Sequence, residues 1–265
     1  MNMNKYQLNQ LLTYLFGSAF VGVFIFLCLT PTLNLWQSGL VMALLVFLEH
    51  YILNLVHIAS HRSISKNASF NDLLGNFLSI ISGVTLPVFR ATHNLHHAYP
   101  NNPEKDPDFV ISTKGALWWL PARIFYHDYA FFRRGLYKQK NALFTYFVDR
   151  LIQVILVLVF LLTGNLDIWI FYWLPSILII GFFYGLFQFY FPHYSTKTID
   201  SWRLLERKNI FQRLSIFWVD FCMYYHYKHH EKINSNRPYF PFWSYLQDRF
   251  VFKKDLVELL KEVKY

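Results

Sequence analysis

Residues 39–61 read GLVMALLVFLEHYILNLVHIASH. The apolar run 39–59 is long enough to cross a hydrocarbon core about 30 Å thick, and it closes on His57 and His61. Spaced i and i+4, those two histidines share one face of a helix. A membrane-length helix that ends in a pair of stacked imidazoles puts the architecture in the bilayer and the polar chemistry at one end of it. Glu49 and His50 lie further inside the same run. His50 sits two turns above His57 on one face and is expected to pack, or to support a ligand by a hydrogen bond, and not to ligate a metal itself.

The rest of the chain repeats both themes. At 265 residues it makes one unit, and 54% hydrophobic with 20% aromatic residues exceeds what a soluble domain carries. Further apolar runs cover 11–29, 144–163 and 168–191. The first lacks the short core and small-residue cleavage site of a signal peptide and is expected to be retained. Gly75, Gly83 and Pro87 interrupt the apolar stretch 72–89, which reads as re-entrant or interfacial. Residues 115–140 mix aromatic and basic side chains, as a helix at headgroup level does, with His127 inside it as an interfacial residue. Pro175 is expected to kink the last run, Gly181 and Gly185 to offer a close-packing face, and 255–265 to form an amphipathic helix.

Charge sets the expected orientation. The loops 30–38 and 164–167 hold none of the 25 lysines and arginines. Positive charge stays cytoplasmic, so both termini and the segments 60–143 and 192–265 are expected on the cytoplasmic side. The net charge of +9 then reads as membrane orientation and contact with anionic lipid, with no nucleic-acid partner. Cys28 and Cys222 are too few for a disulfide framework or an iron–sulfur cluster and read as small hydrophobes. The expected fold is all-α and integral to the membrane, probing no further domain: four transmembrane helices and a cytosolic helical cap holding a histidine-rich di-metal site, one unit over 1–265.

The metal expectation rests on two further groups, His93-Asn94-Leu95-His96-His97 and His226-Tyr227-Lys228-His229-His230. In each, three histidines at i, i+3 and i+4 occupy one helix face. His57 and His61 alone recur by chance; two His-x-x-His-His groups beside them do not. His193, just after the last run, is a ninth candidate at the same membrane level. Nine imidazoles exceed what one octahedral ion takes and suit two, and neutral imidazole favours iron, copper or zinc. No His-Glu-x-x-His, Gly-x-Ser-x-Gly, P-loop or Gly-x-Gly-x-x-Gly occurs. Glu104, Asp106 and Asp108 are expected to accept imidazole N–H bonds and fix ring orientation, the alternative being turn chemistry. Asp220 and Glu231 are further candidates for that task. Two histidine-bound irons at a membrane surface point to chemistry with O2, carried by the metal because no side chain attacks an unactivated C–H bond.

These three groups resemble the histidine boxes of the membrane fatty acid desaturase/hydroxylase superfamily, over about residues 50–240. Within it, the stretch 96–108 (HHAYPNNPEKDPD), the run 118–128 (WWLPARIFYHD) and Pro192-His193 are similar to the cyanobacterial-type beta-carotene hydroxylases. The sequence departs from them after His193 and around the third box. The resemblance implies a non-haem di-iron centre with His193 as the additional ligand. Family members place an Asn near it, and Gln188 is the nearest polar residue here. It implies O2-dependent hydroxylation or desaturation of a long lipid chain drawn from the bilayer, with beta-carotene hydroxylation favoured and a fatty acyl substrate as alternative. An external ferredoxin-like or similar reductase would supply electrons, and an apolar tunnel between the helices would deliver the chain. The expected location is a bacterial inner membrane, with both termini and the histidine site cytoplasmic. A metal transporter is the alternative of another class, but it would need ionisable residues along a path through the midplane, where only Glu49 and His50 approach.

Overall fold

The computed structural model describes residues 4–30, 32–112 and 126–186, and this part is helical, with no strand among the described residues. The first two helices, α1 (Lys5–Leu29) and α2 (Leu35–Ser60), begin several residues before their apolar runs do. The cause is the same in both. Asn4 accepts from the backbone N–H of Gln7 while the Gln7 side chain accepts from the Asn4 N–H, and Asn34 and Gln37 repeat the exchange. Each capping box satisfies donors that a helix start leaves open, so the polar residues 5–10, outside the expected span, are helical. With 25 and 26 residues, both cross a bilayer, at roughly 1.5 Å per residue.

The two helices run antiparallel. The Asn9 side chain donates to the Ser63 carbonyl at 2.8 Å, and the Phe16 and Tyr51 rings stack at 4.5 Å. Thus the start of α1 and the end of α2 lie together. Next come α3 (Ala68–Ile81) and α4 (Leu86–Ala98), joined by an elbow of 102°. At the elbow Gly83 has φ +75°, a left-handed conformation that suits glycine. Gly75 is where α3 meets its neighbours: a Cβ there would lie 2.7 Å from the Ala59 Cβ and 2.9 Å from a Leu86 methyl. The interruptions read in the sequence therefore mark a sharply bent helix pair.

An elbow among apolar helices exposes carbonyls that need donors. Gln153 donates to the Ile80 and Val84 carbonyls, Trp173 to Ile81 at 2.9 Å, and Arg150 to Gly83 at 3.0 Å. Those side chains come from the last two long helices, α6 (Ala142–Leu162) and α7 (Leu166–Tyr184). Before them lies the short α5 (Tyr126–Arg133). Among the described residues, the four long helices α1, α2, α6 and α7 are apolar and long enough to span. In α7 a π turn at Trp169–Trp173 precedes Pro175. Proline has no N–H for the Phe171 carbonyl, and the expected kink takes this form of a widened turn. Gly181 and Gly185 are buried, and Ile180 and Tyr184 pack with Leu53 of α2.

Buried Leu45, Ile52, Val56, Leu78 and Leu86 join α2, α3 and α4 into the main core. A smaller cluster of Val88, Ala91 and Phe131 seats α5 and the start of α6 against α4. His127 lies in this layer and corrects an expectation. Read as interfacial, it is 7% exposed, because a buried carboxylate on the preceding loop binds its ring.

Candidate metal centre

The end of α2 carries the first two histidines, and its last carbonyls decide how α4 sits on it. Arg90 of α4 donates to the Ala59 and Ser60 carbonyls at 3.0 and 3.2 Å and to Asp72 of α3 at 2.6 Å. The Asn71 side chain donates to Ala59 as well and accepts from the Ile64 N–H. These carbonyls lack helical partners, so satisfying them fixes α4 across the tip of α2. The Arg90 guanidinium holds the Asp72 carboxyl below its ordinary range, although burial pushes it the other way.

That clamp brings His57 and His61 to His93 and His97, and each of the four offers a ring nitrogen within 4.8 Å of the others. The Nε2 atoms of His61 and His93 are 3.0 Å apart, and those of His93 and His97 are 2.9 Å apart. The donor set suits a first-row transition metal. For metal–nitrogen bonds of about 2.1 Å, adjacent corners of an octahedron lie about 3.0 Å apart, so the observed spacings fit neighbouring ligands of one ion. Burial first, and the Arg90 charge second, lower the His61 pKa to about 4. The ring is therefore kept neutral, the form that binds metal.

His96 is placed differently from the other two histidines of its box. Its Nδ1 lies 2.9 Å from Asp106 and 3.4 Å from Asp108, and the residue is fully buried. Burial works against its charged form, yet the Asp108 charge and the Asp106 hydrogen bond lift its pKa above the ordinary value. Asp106 also accepts from the backbone N–H groups of Asn101 and Asp108, at 2.7 and 2.8 Å. These two carboxylates and His96 could themselves enclose an ion. Since Asp106 already accepts three N–H groups, we read the trio as the support that orients the His96 imidazole. Asp108 in turn binds His127 Nε2 at 2.6 Å.

Nineteen residues of sequence separate His127 from Asp108, and no spacing rule links them; the one available signal was a histidine amid aromatics. Glu104, grouped with the two aspartates in the sequence reading, is exposed, and its backbone N–H donates to the Asn102 side chain. His50 lies against Asn54, Tyr51 and Tyr184, in keeping with packing. His193, His226, His229 and His230, with Gln188, Asp220 and Glu231, lie outside the described residues.

Residues 30–247 match the family model for fatty acid desaturase. The Delta 8-(E)-sphingolipid desaturase of Komagataella phaffii is 31% identical over 90 residues, which is 31% of this chain and 15% of that protein. The Delta 8-(E)-sphingolipid desaturase of Emericella nidulans is 29% identical over 86 residues, 30% of this chain and 15% of that protein. The alignments thus cover a small part of each relative's length. No solved structure matches the chain. Four membrane-length helices among the described residues, a histidine cluster that fits a metal, and a family match over most of the sequence lead to one assignment: the chain belongs to the fatty acid desaturase family.

Proposed function

We propose that this protein hydroxylates or desaturates a long apolar lipid chain at a non-haem di-iron centre. The observation that carries the reading is the four-imidazole cluster at one end of a bundle of apolar helices. His57, His61, His93 and His97 would hold metal through their ring nitrogens, and His96 through the nitrogen that Asp106 and Asp108 leave over. The third box and His193 would complete the set. Bound iron would supply the activation of O2 that an unreactive C–H bond requires.

The chain's own groups do the remaining work. Arg90 and Asn71 hold α4 against α2, and Asp106 and Asp108 fix the tautomer and orientation of His96 by accepting at Nδ1. Phe89, packed on the His57 and His93 rings, presents an apolar surface beside the cluster. Hydroxylation and desaturation consume the same O2, electron pair and proton pair, so the product depends on how the substrate C–H is presented.

Two substrates have a specific observation in their favour. The resemblance of 96–108 and 118–128 to beta-carotene hydroxylases supports a carotenoid, which is the favoured reading. The names of the two curated relatives support a sphingolipid chain as the second. Expression in a bacterial host supplied separately with beta-carotene and with a saturated sphingolipid, followed by mass analysis, decides between them. Hydroxylated carotenoid selects the first and a new double bond in the sphingolipid the second. No product from either, in protein containing about two irons per chain, would sink the proposal. Electrons would come from a ferredoxin-like acidic partner docking on a face that carries Arg62, Lys66, Lys105 and Arg134. Reduction rates that ignore ionic strength would remove that partner.

A further inference from the structure

Asp108 stands between two imidazoles. Its Oδ1 lies 2.6 Å from His127 Nε2 and its Oδ2 lies 3.4 Å from His96 Nδ1, and all three residues are buried. An ionised carboxylate only accepts, so His127 donates its Nε2–H to Oδ1. On the other side, Asp106 takes the shorter contact to His96 Nδ1, at 2.9 Å. At 3.4 Å Asp108 therefore acts on His96 more by its charge than by a hydrogen bond. One carboxylate charge is shared between two rings, and only His96 belongs to a histidine box.

Asp108 alone does not place His127. The neighbouring Asp128 binds Arg150 of α6 at 2.6 Å. Phe131, one helical turn further on the same face, is buried against Val88 and Ala91 of α4. Beyond the end of α5, Arg134 donates to the Lys105 carbonyl, on the loop that carries both aspartates. These contacts dock α5 and present the imidazole to the carboxylate. Packing needs no polar group at this position, since Ala130 and Phe131 fill the same layer. A histidine adds a donor to a carboxylate that already faces another imidazole.

We propose that His127 is a positioning residue for the metal centre: the hydrogen bond it donates to Asp108 sets how much negative charge reaches His96, and so how strongly that ring donates to a bound ion. This deepens the function proposed above and rests on its reading of His96 as a ligand. A carboxylate beside a ligating imidazole raises its basicity, and a donor on the far oxygen draws charge back. With that donor removed and Asp108 still ionised, His96 becomes the more basic ligand and favours the higher charge on the ion.

The test uses the full chain loaded with iron, in lipid nanodiscs above neutral pH, and reads the ratio of ferric to ferrous ion at one applied potential. His127→Phe removes the donor, and a cavity of about 40 Å³ beside the ring gives the larger side chain room. It should raise the ratio at least about threefold. His127→Gln keeps a donor and should reverse most of that change. In an Asp108→Asn background His127→Phe should change nothing, because the charge it acts on is gone. Arg134→Ala loosens α5 from the loop without removing the donor to Asp108, and should leave the ratio at its wild-type value. Circular dichroism equal to wild type shows that each variant has folded. An unchanged ratio in His127→Phe would overturn the proposal. So would an equal change in Arg134→Ala, or one that persists in the Asp108→Asn background, since either makes His127 a packing residue. If His96→Ala kept the iron at an unchanged ratio, the reading of His96 as a ligand would fall as well. Wild-type protein that takes up no iron would sink the di-iron centre itself.

Discussion

At His96 the surroundings decide a role that spacing leaves open. Three histidines at i, i+3 and i+4 share a face, yet His93 and His97 meet the imidazoles of α2 while His96 Nδ1 turns to Asp106. The pairing of i with i+4 was legible in the sequence; the diversion of the middle ring depends on a loop that folds back and offers a buried carboxylate. Asp106→Ala removes that acceptor, to which the N–H groups of Asn101 and Asp108 also donate. Metal affinity should fall roughly 10–100-fold, and loss of the bonds to the buried carboxylate should cost about 1–3 kcal/mol of stability. Metal titration and thermal unfolding measure the two effects, with Asp106→Asn, which keeps an acceptor, expected between mutant and wild type. His61 gives a prediction in pH. Its pKa lies near 4 against an ordinary 6.5, so between those values the unfolded chain takes up more protons than the folded one. The contribution to stability is complete above about 6.5 and is lost as pH falls through that window. Metal retention should accordingly stay level from pH 8 to 6.5 and decline towards 4. A release midpoint near 6.5 would mean that the ring titrates as if exposed.

Among the elements, the elbow between α3 and α4 is the least common arrangement, because its carbonyls are turned towards apolar helices. Its breakers, Gly75, Gly83 and Pro87, stand out in the sequence, and the hairpin could be read from them. The donors that make it tenable could not, since Gln153 and Trp173 follow the elbow by some 70 and 90 residues. Helix starts show the converse: Asn4-Gln7 and Asn34-Gln37 are local signals that hydropathy passes over, and they lengthen both helices. Gln153→Leu fits the apolar surroundings of α6 but takes its donor from the Val84 carbonyl, while the Ile80 carbonyl keeps the Gly83 N–H. The expected loss is about 1–3 kcal/mol, read as a lower unfolding temperature in detergent. Trp173→Phe should lose a similar amount through the Ile81 carbonyl. Ser38→Ala, which removes the hydroxyl bonded to Tyr172 at the exposed far end of the bundle, should change stability by less than about 1 kcal/mol. If the three variants proved equal, the elbow carbonyls would not depend on these side chains.

For the whole molecule, sidedness joins the fold to the proposed chemistry. The Asn9 bond to Ser63, and the packing of Ala142 and Tyr146 on the cluster of Val88, Ala91 and Phe131, place the starts of α1 and α6 beside the histidines. Their other ends therefore lie across the membrane, in the loops around Asn34 and Gly164. Those loops carry no lysine or arginine, whereas Arg62, Lys66, Lys105, Arg133, Arg134, Lys138 and Lys140 are all on the histidine side. By the bias of such charges we propose that the histidine side is cytoplasmic. With Cys28 and Cys222 replaced, single cysteines at Lys66 and Lys138 should resist a membrane-impermeant maleimide in intact cells and react after permeabilisation. Cysteines at Asn34 and Asn165 should react in both. The reverse pattern would place the metal centre outside, beyond reach of a soluble cytoplasmic reductant. The proposed electron donor would then fail together with the orientation, although the four-imidazole cluster and the family membership would stand.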